Sequence, residues 1–390
     1  MSEKKNILLT GATGFIGSHL LHEMLNTAEI GTLYVVCRKT DPAQERQRII
    51  DAYLKFAISD GAEVRRATNL RIIDGDITLP RLGFSDAVYA ELSETVDVIH
   101  HIAARVNHVR PYDVLKGANV DSVADLIALA RSGKDKVLNF VSTLGSAVRK
   151  DDAGMYVEDF PATEALQSDM GYLLSKWEAE KLLADYHRQG GRTNIFRLGY
   201  ISGHSETGAA LFADNQFMLF IKSCIELGYA PELNRLINFT PVDFTARIMN
   251  LPVYMREGGH VLNLFNATEL IYWHEIVAWL VARGYAIETL PFYAWQQKLL
   301  QSGPGNPLQR FLSLYGVDGA HEKILRFGRE IHLFNTGVIN EVTRTSKVVP
   351  PRLKFDLLDK YLGYLQAQGF LDMPAVPAVP AQVPAPGVTA

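Results

Sequence analysis

Cysteine is nearly missing: Cys37 and Cys224 are the only two in 390 residues. That excludes a disulfide framework and a thiolate zinc cluster, and it fits a reducing compartment, so the cytoplasm is the expected location. No uninterrupted apolar run reaches the roughly 20 residues that a membrane-spanning helix requires. The opening MSEKKNILLTGATGF is basic and then briefly apolar, but Gly11 ends the run, so it does not read as a signal peptide. An excess of positive charge is absent too. Lys and Arg number 39 against 43 Asp and Glu, a net charge of −4 that offers no footprint for nucleic acid. That balance leaves room for a local basic patch that docks an acidic partner. No repeat of solenoid length occurs. The one adjacent histidine pair, His100 and His101, would point to opposite faces of a strand, so no metal site is expected.

Hydrophobic residues at 47% and charged residues at 21% can fill a large core, and the length suggests two domains or one with an annex. KNILLTGATGFIGSHLLHEMLN reads as a buried strand, a glycine turn and an amphipathic helix; GTLYVVCRK is a second strand ending in charge. DPAQERQRIIDAYLKFAIS is helical by periodicity, with Asp41 as N-cap and Pro42 just inside. LRIIDGD, VDVIHHIAA and VLNFVSTLGS are further short strands, with the helical NVDSVADLIALARS between the last two. Strands alternating with helices up to TNIFRLGYISG, near residue 203, imply an α/β fold with a doubly wound parallel sheet covered on both faces. Beyond that point the rhythm loosens into aromatic-rich, mainly helical segments.

LLTGATGFIG spaces Gly11, Gly14 and Gly17 as G-x-x-G-x-x-G between strand and helix. A tight turn, a close backbone approach to a pyrophosphate and close helix–strand packing each demand such a residue, and the helix N-terminus favours the phosphates. This context points to a dinucleotide site. The second strand ends in Arg38 and Lys39, where an acid would otherwise hold the ribose hydroxyls of NAD. A guanidinium clamps a 2′-phosphate, so NADPH is the expected cofactor. Arg46 and Arg48 on the next helix are open to a second such contact. Asp76 reads either as a contact to the adenine amino group or as a plain turn aspartate. We therefore place an NADP-binding domain at residues 1–203, with segments near 236–250 and 261–268 returning to it. A substrate-binding region follows at 204–372, and 373–390 reads as a disordered Pro/Ala-rich tail.

MGYLLSKWEAEK puts Tyr172 and Lys176 one helical turn apart, but the pattern is short, and YDVLK repeats it at Tyr112 and Lys116. Reducing a carbonyl leaves negative charge on oxygen, so the site needs a proton donor and a second hydrogen-bond donor. A lysine ammonium beside a tyrosine is expected to lower its pKa from about 10. Tyr112 follows Pro111 with no hydroxyl-bearing strand end at a suitable distance before it. Tyr172 follows FVSTLGS, where Ser142 and Thr143 close an apolar strand, and ligands of open parallel sheets bind outside such carboxyl ends. Position therefore favours Tyr172. His108, next to Asn107 in a loop leading from the nucleotide site, reads as a loop residue or as a substrate contact. Cys224 and the aromatics of ELIYWHEIVAWLVARGY read as core.

Over roughly residues 5–250 the chain resembles the extended short-chain dehydrogenase/reductase superfamily, in TGATGFIG, GDI, HIAA, NVDS, VSTLG, YLLSK and FRLGYISG. The resemblance implies a Rossmann-type sheet and a catalytic trio of Thr143, Tyr172 and Lys176, with Lys176 also holding the nicotinamide ribose beside Tyr172. At the matching positions it implies cofactor contacts from Thr10, Gly11, Gly14, Phe15, Ile16 and Gly17, from Asp76 and Ile77, from Ala103, Ala104 and Asn119, and from Leu198, Gly199 and Ile201. Within that superfamily the helical insert at 41–68, GDITLPRLGFS, AARVNHVRPYDVLKGANV, GHSETGAALFADNQFMLFIKSCIELGYAP and NFTPVDFTARIM resemble thioester reductase domains. Those domains end nonribosomal peptide synthetases and carboxylic acid reductases. One departure is Arg197-Leu198-Gly199, where many superfamily members read Arg-Pro-Gly.

This resemblance implies an acyl or peptidyl thioester arriving on the phosphopantetheine arm of a carrier protein and leaving as an aldehyde, or after a second reduction as an alcohol. It further implies an NADPH-dependent oxidoreductase; a monomer is expected, and charge and hydropathy give it neither nucleic acid nor membrane as a partner. The competing readings are an NAD(P)-dependent epimerase, dehydratase or ketone reductase of the same fold, and a non-catalytic NADP-sensing protein.

Overall fold

The computed structural model describes residues 4–38, 44–162, 164–213, 215–267, 270–312, 331–352 and 355–374. Lys39, the expected cap Asp41 with Pro42, and the tail from residue 375 onward lie outside the described residues. The chain divides into two compact units. One comprises Met1–Ser205, Phe239–Ala267 and His332–Pro351; the other comprises Glu206–Asn238, Thr268–Ile331 and Arg352–Ala390.

The first unit is built on strands β1 (Lys5–Thr10), β2 (Ile30–Cys37), β3 (Leu70–Asp74), β4 (Val98–His101), β5 (Val137–Thr143) and β6 (Arg192–Leu198). Short strands β7 (Ile201–Ser202), β8 (Tyr229–Pro231), β9 (Leu236–Asn238) and β10 (Thr240–Pro241) stand outside the main sheet, and β11 (Val261–Leu264) joins it. The order is β11-β6-β5-β4-β1-β2-β3, and every neighbouring pair is parallel. The expected doubly wound parallel sheet is therefore present, with β11 added at its edge.

Its strands read as continuous apolar runs because both faces are covered. Side-chain alternation divides β1 between two cores. Ile7 and Leu9 pack with Leu20, Leu21 and Met24 of helix α1 (Phe15–Leu25) and with Ile49, Ile50 and Tyr53 of α2 (Glu45–Lys55). Leu8 packs on the opposite side. There it meets Leu92 of α4 (Asp86–Thr95), which follows the short α3 (Ala62–Arg66), and Leu126 and Leu129 of α6 (Ser122–Arg131). Ala179 and Leu183 of α7 (Gly171–Arg188) complete that core. Helix α5 (Tyr112–Lys116) runs into α6 through one wide π-type turn, Gly117–Asp121.

The second unit holds α8 (Gln216–Leu227), with α9 (Val242–Met249) of the first unit intervening in sequence, then α10 (Trp273–Ala282), α11 (Phe292–Gln301) and α13 (Phe355–Ala367). The intervening α12 (Gly337–Ser346) belongs to the first unit. Strand β12 (Leu270–Tyr272) pairs antiparallel with β9, and β13 (Glu288–Leu290) pairs parallel with β8. The aromatics assigned to core lie there: Trp273, Trp279 and Tyr285 are buried, and Phe220 packs against Trp273 and Trp295. Among the Tyr and Trp residues of that stretch, Tyr272 is the exposed one. Cys224 is buried, and burial pushes its thiol pKa up, as suits a small hydrophobe. No helix among the described residues is long and apolar enough to cross a membrane.

Candidate active site

In a parallel sheet all carboxyl ends share one edge, and there the chain gathers its chemistry. Thr10 closes β1, Arg38 follows β2, Asp76 follows β3, Ala103 and Ala104 follow β4, Thr143 closes β5, and Leu198 with Gly199 closes β6.

The glycine turn is built to a tolerance of one hydrogen atom. A Cβ on Gly17 would lie 2.0 Å from the Gly11 carbonyl oxygen, and one on Gly11 (φ +80°) would lie 2.7 Å from the Ala103 nitrogen. Gly14 precedes α1, and no side chain caps that helix. The first-turn N–H groups are thus left to an anion, which is what a dinucleotide pyrophosphate requires. Phe15 is buried against Phe56 and His19, and Ile16 is half-buried. The Thr10 hydroxyl is engaged internally: it lies 2.8 Å from His101 Nδ1 and accepts from the Ala103 N–H at 3.3 Å. Ser122 Oγ donates to the Ala118 carbonyl and lies 3.3 Å from His101 Nε2, which assigns the ring proton to Nε2. Burial lowers the pKa of both His100 and His101 to about 3, so both rings are neutral. They do point apart, His100 toward Asn139. Among the described residues no His, Cys, Asp and Glu group could hold a metal ion.

At the β2 corner Arg38 is exposed, and Arg48 donates to its backbone carbonyl at 2.6 Å. Arg46 is not part of this corner. Its guanidinium donates to the carbonyls of Val64, Ala67 and Leu70, tying α2 to the chain that enters β3. Asp76 Oδ1 accepts from the Thr78 N–H and hydroxyl, both at 2.8 Å, in a local turn. The Thr78 N–H, with Arg38 and Arg105 nearby, lowers its pKa. Ile77 packs at the rim of the core.

Asn119 has a bracing geometry. Its Oδ1 accepts from the Arg105 N–H at 2.7 Å, while its Nδ2 donates to the Arg105 carbonyl and to Ser175 Oγ on α7. It fixes the loop after β4 to the tyrosine helix. Ile201, half-buried in β7, pairs with Thr240.

Strand alternation separates the two hydroxyls of β5. Ser142 turns into the protein and donates to Glu180; Thr143, half-buried at the edge, accepts from the Gly145 N–H at 3.4 Å. On α7, Tyr172, Lys176 and Glu180 are spaced i, i+4 and i+8 on one face and are 9%, 2% and 0% exposed. Lys176 Nζ donates to the Val141 carbonyl at 2.8 Å and sits 4.5 Å from the centre of the Phe140 ring. Burial lowers its pKa to about 7, with Glu180 pulling the other way. The lowered tyrosine pKa expected from the sequence does not occur. Burial raises Tyr172 to about 12, and the Lys176 ammonium is turned to a strand carbonyl. At neutral pH the phenol keeps its proton, the form that a proton donor requires.

Two features escaped the sequence reading. Glu180 accepts from Ser142, Ser146 and the Arg197 guanidinium, whose nearest oxygen lies 2.7 Å away in a buried ion pair. Arg197 also donates to the carbonyls of Val157 and Asp159. Gly171 is the second: a Cβ there would lie 2.4 Å from the Tyr112 nitrogen. The +8 spacing from Tyr172 could have found Glu180, whereas nothing in the sequence marks Gly171. A third anchor lies in Pro-Val-Asp, where Asp243 accepts from the Ser205 N–H and hydroxyl at 2.9 and 2.7 Å.

This strand order and glycine cradle are those of a dinucleotide-binding fold, and the chain is a member of the extended short-chain dehydrogenase/reductase superfamily. The family model described as Male sterility protein matches residues 9–249, and the chain belongs to that family. The chain is homologous to the L-2-aminoadipate reductase large subunit of Eremothecium gossypii, at 29% identity over 95% of this chain and 28% of that protein. It is similar to the isonitrile lipopeptide synthase of Streptomyces coeruleorubidus, at 31% identity over 96% of this chain and 26% of that protein. The chain thus spans little more than a quarter of the length of these relatives. Among solved structures it is similar to the terminal R domain from the myxalamid PKS-NRPS biosynthetic pathway, with a TM-score of 0.77 and 28% identity, covering 96% of this chain and 93% of that one.

Proposed function

We propose that this chain reduces an acyl or peptidyl thioester, carried on the phosphopantetheine arm of a carrier protein, to an aldehyde. What supports the reading is that Thr143 ends β5, and that Lys176, one turn after Tyr172 on α7, reaches the Val141 carbonyl of the same strand, at the sheet edge that also carries the glycine cradle. Gly11, Gly14 and Gly17 would hold the pyrophosphate, and Lys176 with Tyr172 the nicotinamide ribose. The cofactor, when bound, supplies hydride to the thioester carbon. Tyr172 donates its phenolic proton to the carbonyl oxygen, and Thr143 offers a second hydroxyl to that oxygen as charge develops. Lys176, held by the Val141 carbonyl, supports the phenolate left behind in its ammonium form. The thiohemiacetal then breaks its C–S bond, its hydroxyl proton leaving with the carrier thiol to free the aldehyde, and Tyr172 is reprotonated from solvent.

NADPH is the cofactor in this reading, because Arg38 stands exposed after β2 with its carbonyl held by Arg48. The second unit serves as the region that receives substrate and carrier, and the chain acts as a cytoplasmic monomer. The test is cofactor oxidation with acyl-carrier and acyl-CoA thioesters, products identified by mass spectrometry. NADPH should be consumed in preference to NADH, with an aldehyde as product. Tyr172→Phe should lose on the order of 100- to 1,000-fold in rate while still binding NADPH. Turnover of free ketones or nucleotide sugars alone would sink the reading.

A further inference from the structure

His108 lies in the loop that leaves the carboxyl end of β4, and its ring stands edge-on to Tyr172, centroids 5.3 Å apart at 81°. Its Nδ1 is shut away from solvent and has no hydrogen-bond partner. Asn107 Oδ1 accepts from the N–H groups of Val109 and Arg110, and both backbone groups of Arg105 are held by Asn119. A buried polar atom left alone calls for a partner that arrives later.

The loop is also held in place. Arg110, Pro111 and Tyr112 press their backbone onto Gly171, the residue before Tyr172, with no room for a side chain. The placement of His108 beside the phenol is therefore fixed by the same contact that seats the tyrosine helix. Val106 and Val109, on either side of it in sequence, are exposed and give the loop an apolar rim. Burial lowers the pKa of the imidazole, so at neutral pH the ring is uncharged, with one donor and one acceptor nitrogen. A neutral ring suits a neutral polar group better than a phosphate or carboxylate. In a pantetheine thioester the polar group nearest the sulfur is an amide two carbons away. It offers an N–H and a carbonyl, so either imidazole tautomer finds its complement.

We infer that His108 is a substrate-contacting residue whose free ring nitrogen hydrogen-bonds this amide of the thioester arm. The inference rests on the thioester reading and specifies how the arm is held beside Tyr172.

The test uses one acyl group on two thiols, N-acetylcysteamine with the amide and n-propanethiol without it, and reads kcat/KM from NADPH consumption by the full chain. The wild type should favour the amide-bearing ester by about fivefold, the range of one net neutral hydrogen bond. His108→Phe keeps a ring against Tyr172 but has no nitrogen, and should bring that ratio close to one. His108→Asn should restore part of it. NADPH affinity checks that each variant is folded, and His108→Asn carries the test if His108→Phe fails to bind. A wild-type ratio near one, or a ratio that persists in His108→Phe, overturns the inference. Turnover of neither ester by the wild type overturns the thioester reading instead.

Discussion

The chain carries the same four-residue spacing twice, on two helices that pack against each other, and only one copy is buried against the end of a sheet strand. On α5, Tyr112 is half-buried and Lys116 is exposed, its ammonium paired with Asp121. On α7, Tyr172 and Lys176 are buried, and the lysine reaches the Val141 carbonyl beneath it. The contrast continues one turn further: the residue eight after Tyr112 is Val120, and the residue eight after Tyr172 is Glu180. A tyrosine and a lysine on one helical face are therefore not a site in themselves. They become one when the helix leans on the end of a strand that supplies a hydroxyl and a carbonyl.

The greatest damage to the α7 copy should come from Glu180→Ala. It leaves the Arg197 guanidinium buried without its carboxylate, and removing one partner of such a pair typically costs about 3–5 kcal/mol. Urea unfolding should show that loss, and an unchanged midpoint would mean that the α7 pair stands without its ion pair. Next is Gly171→Ala, which tests whether the two copies are kept apart by a fixed backbone contact. The new methyl would meet the Tyr112 nitrogen at 2.4 Å, backbone against backbone, so about 1–3 kcal/mol should be lost. Activity should fall with stability as Tyr172 shifts. The smallest effect should come from Lys116→Ala, which removes an exposed ion pair worth about 0–1 kcal/mol. Its turnover should match the wild type, and a large drop would erase the distinction between the copies.

Local patterning made much of this legible. Apolar runs, the glycine triplet and a hydroxyl-bearing strand end all act within a few residues, so the sheet, and a Tyr172 helix packed on the end of β5, followed from the sequence. What stayed hidden depends on neighbours brought together from far apart. Arg46 looked as free as Arg48 until the fold set three carbonyls before its guanidinium. Asn119 looked like a cofactor contact, yet its amide spans from Arg105 to Ser175. The tyrosine pKa went the opposite way because spacing says that a lysine is near but not how deeply the phenol is buried.

The wide turn at Gly117–Asp121 sets the angular phase between α5 and α6. A π-type turn holds one residue more than the helix around it, and each residue of an α-helix advances by about 100°. The surplus residue lets α5 face α7 while α6 keeps Leu126 and Leu129 on the sheet, and Asn119 lies within the turn, bonded to Ser175. Removing one residue here would leave a smoother helix and a worse protein, since one of those two faces would then point the wrong way.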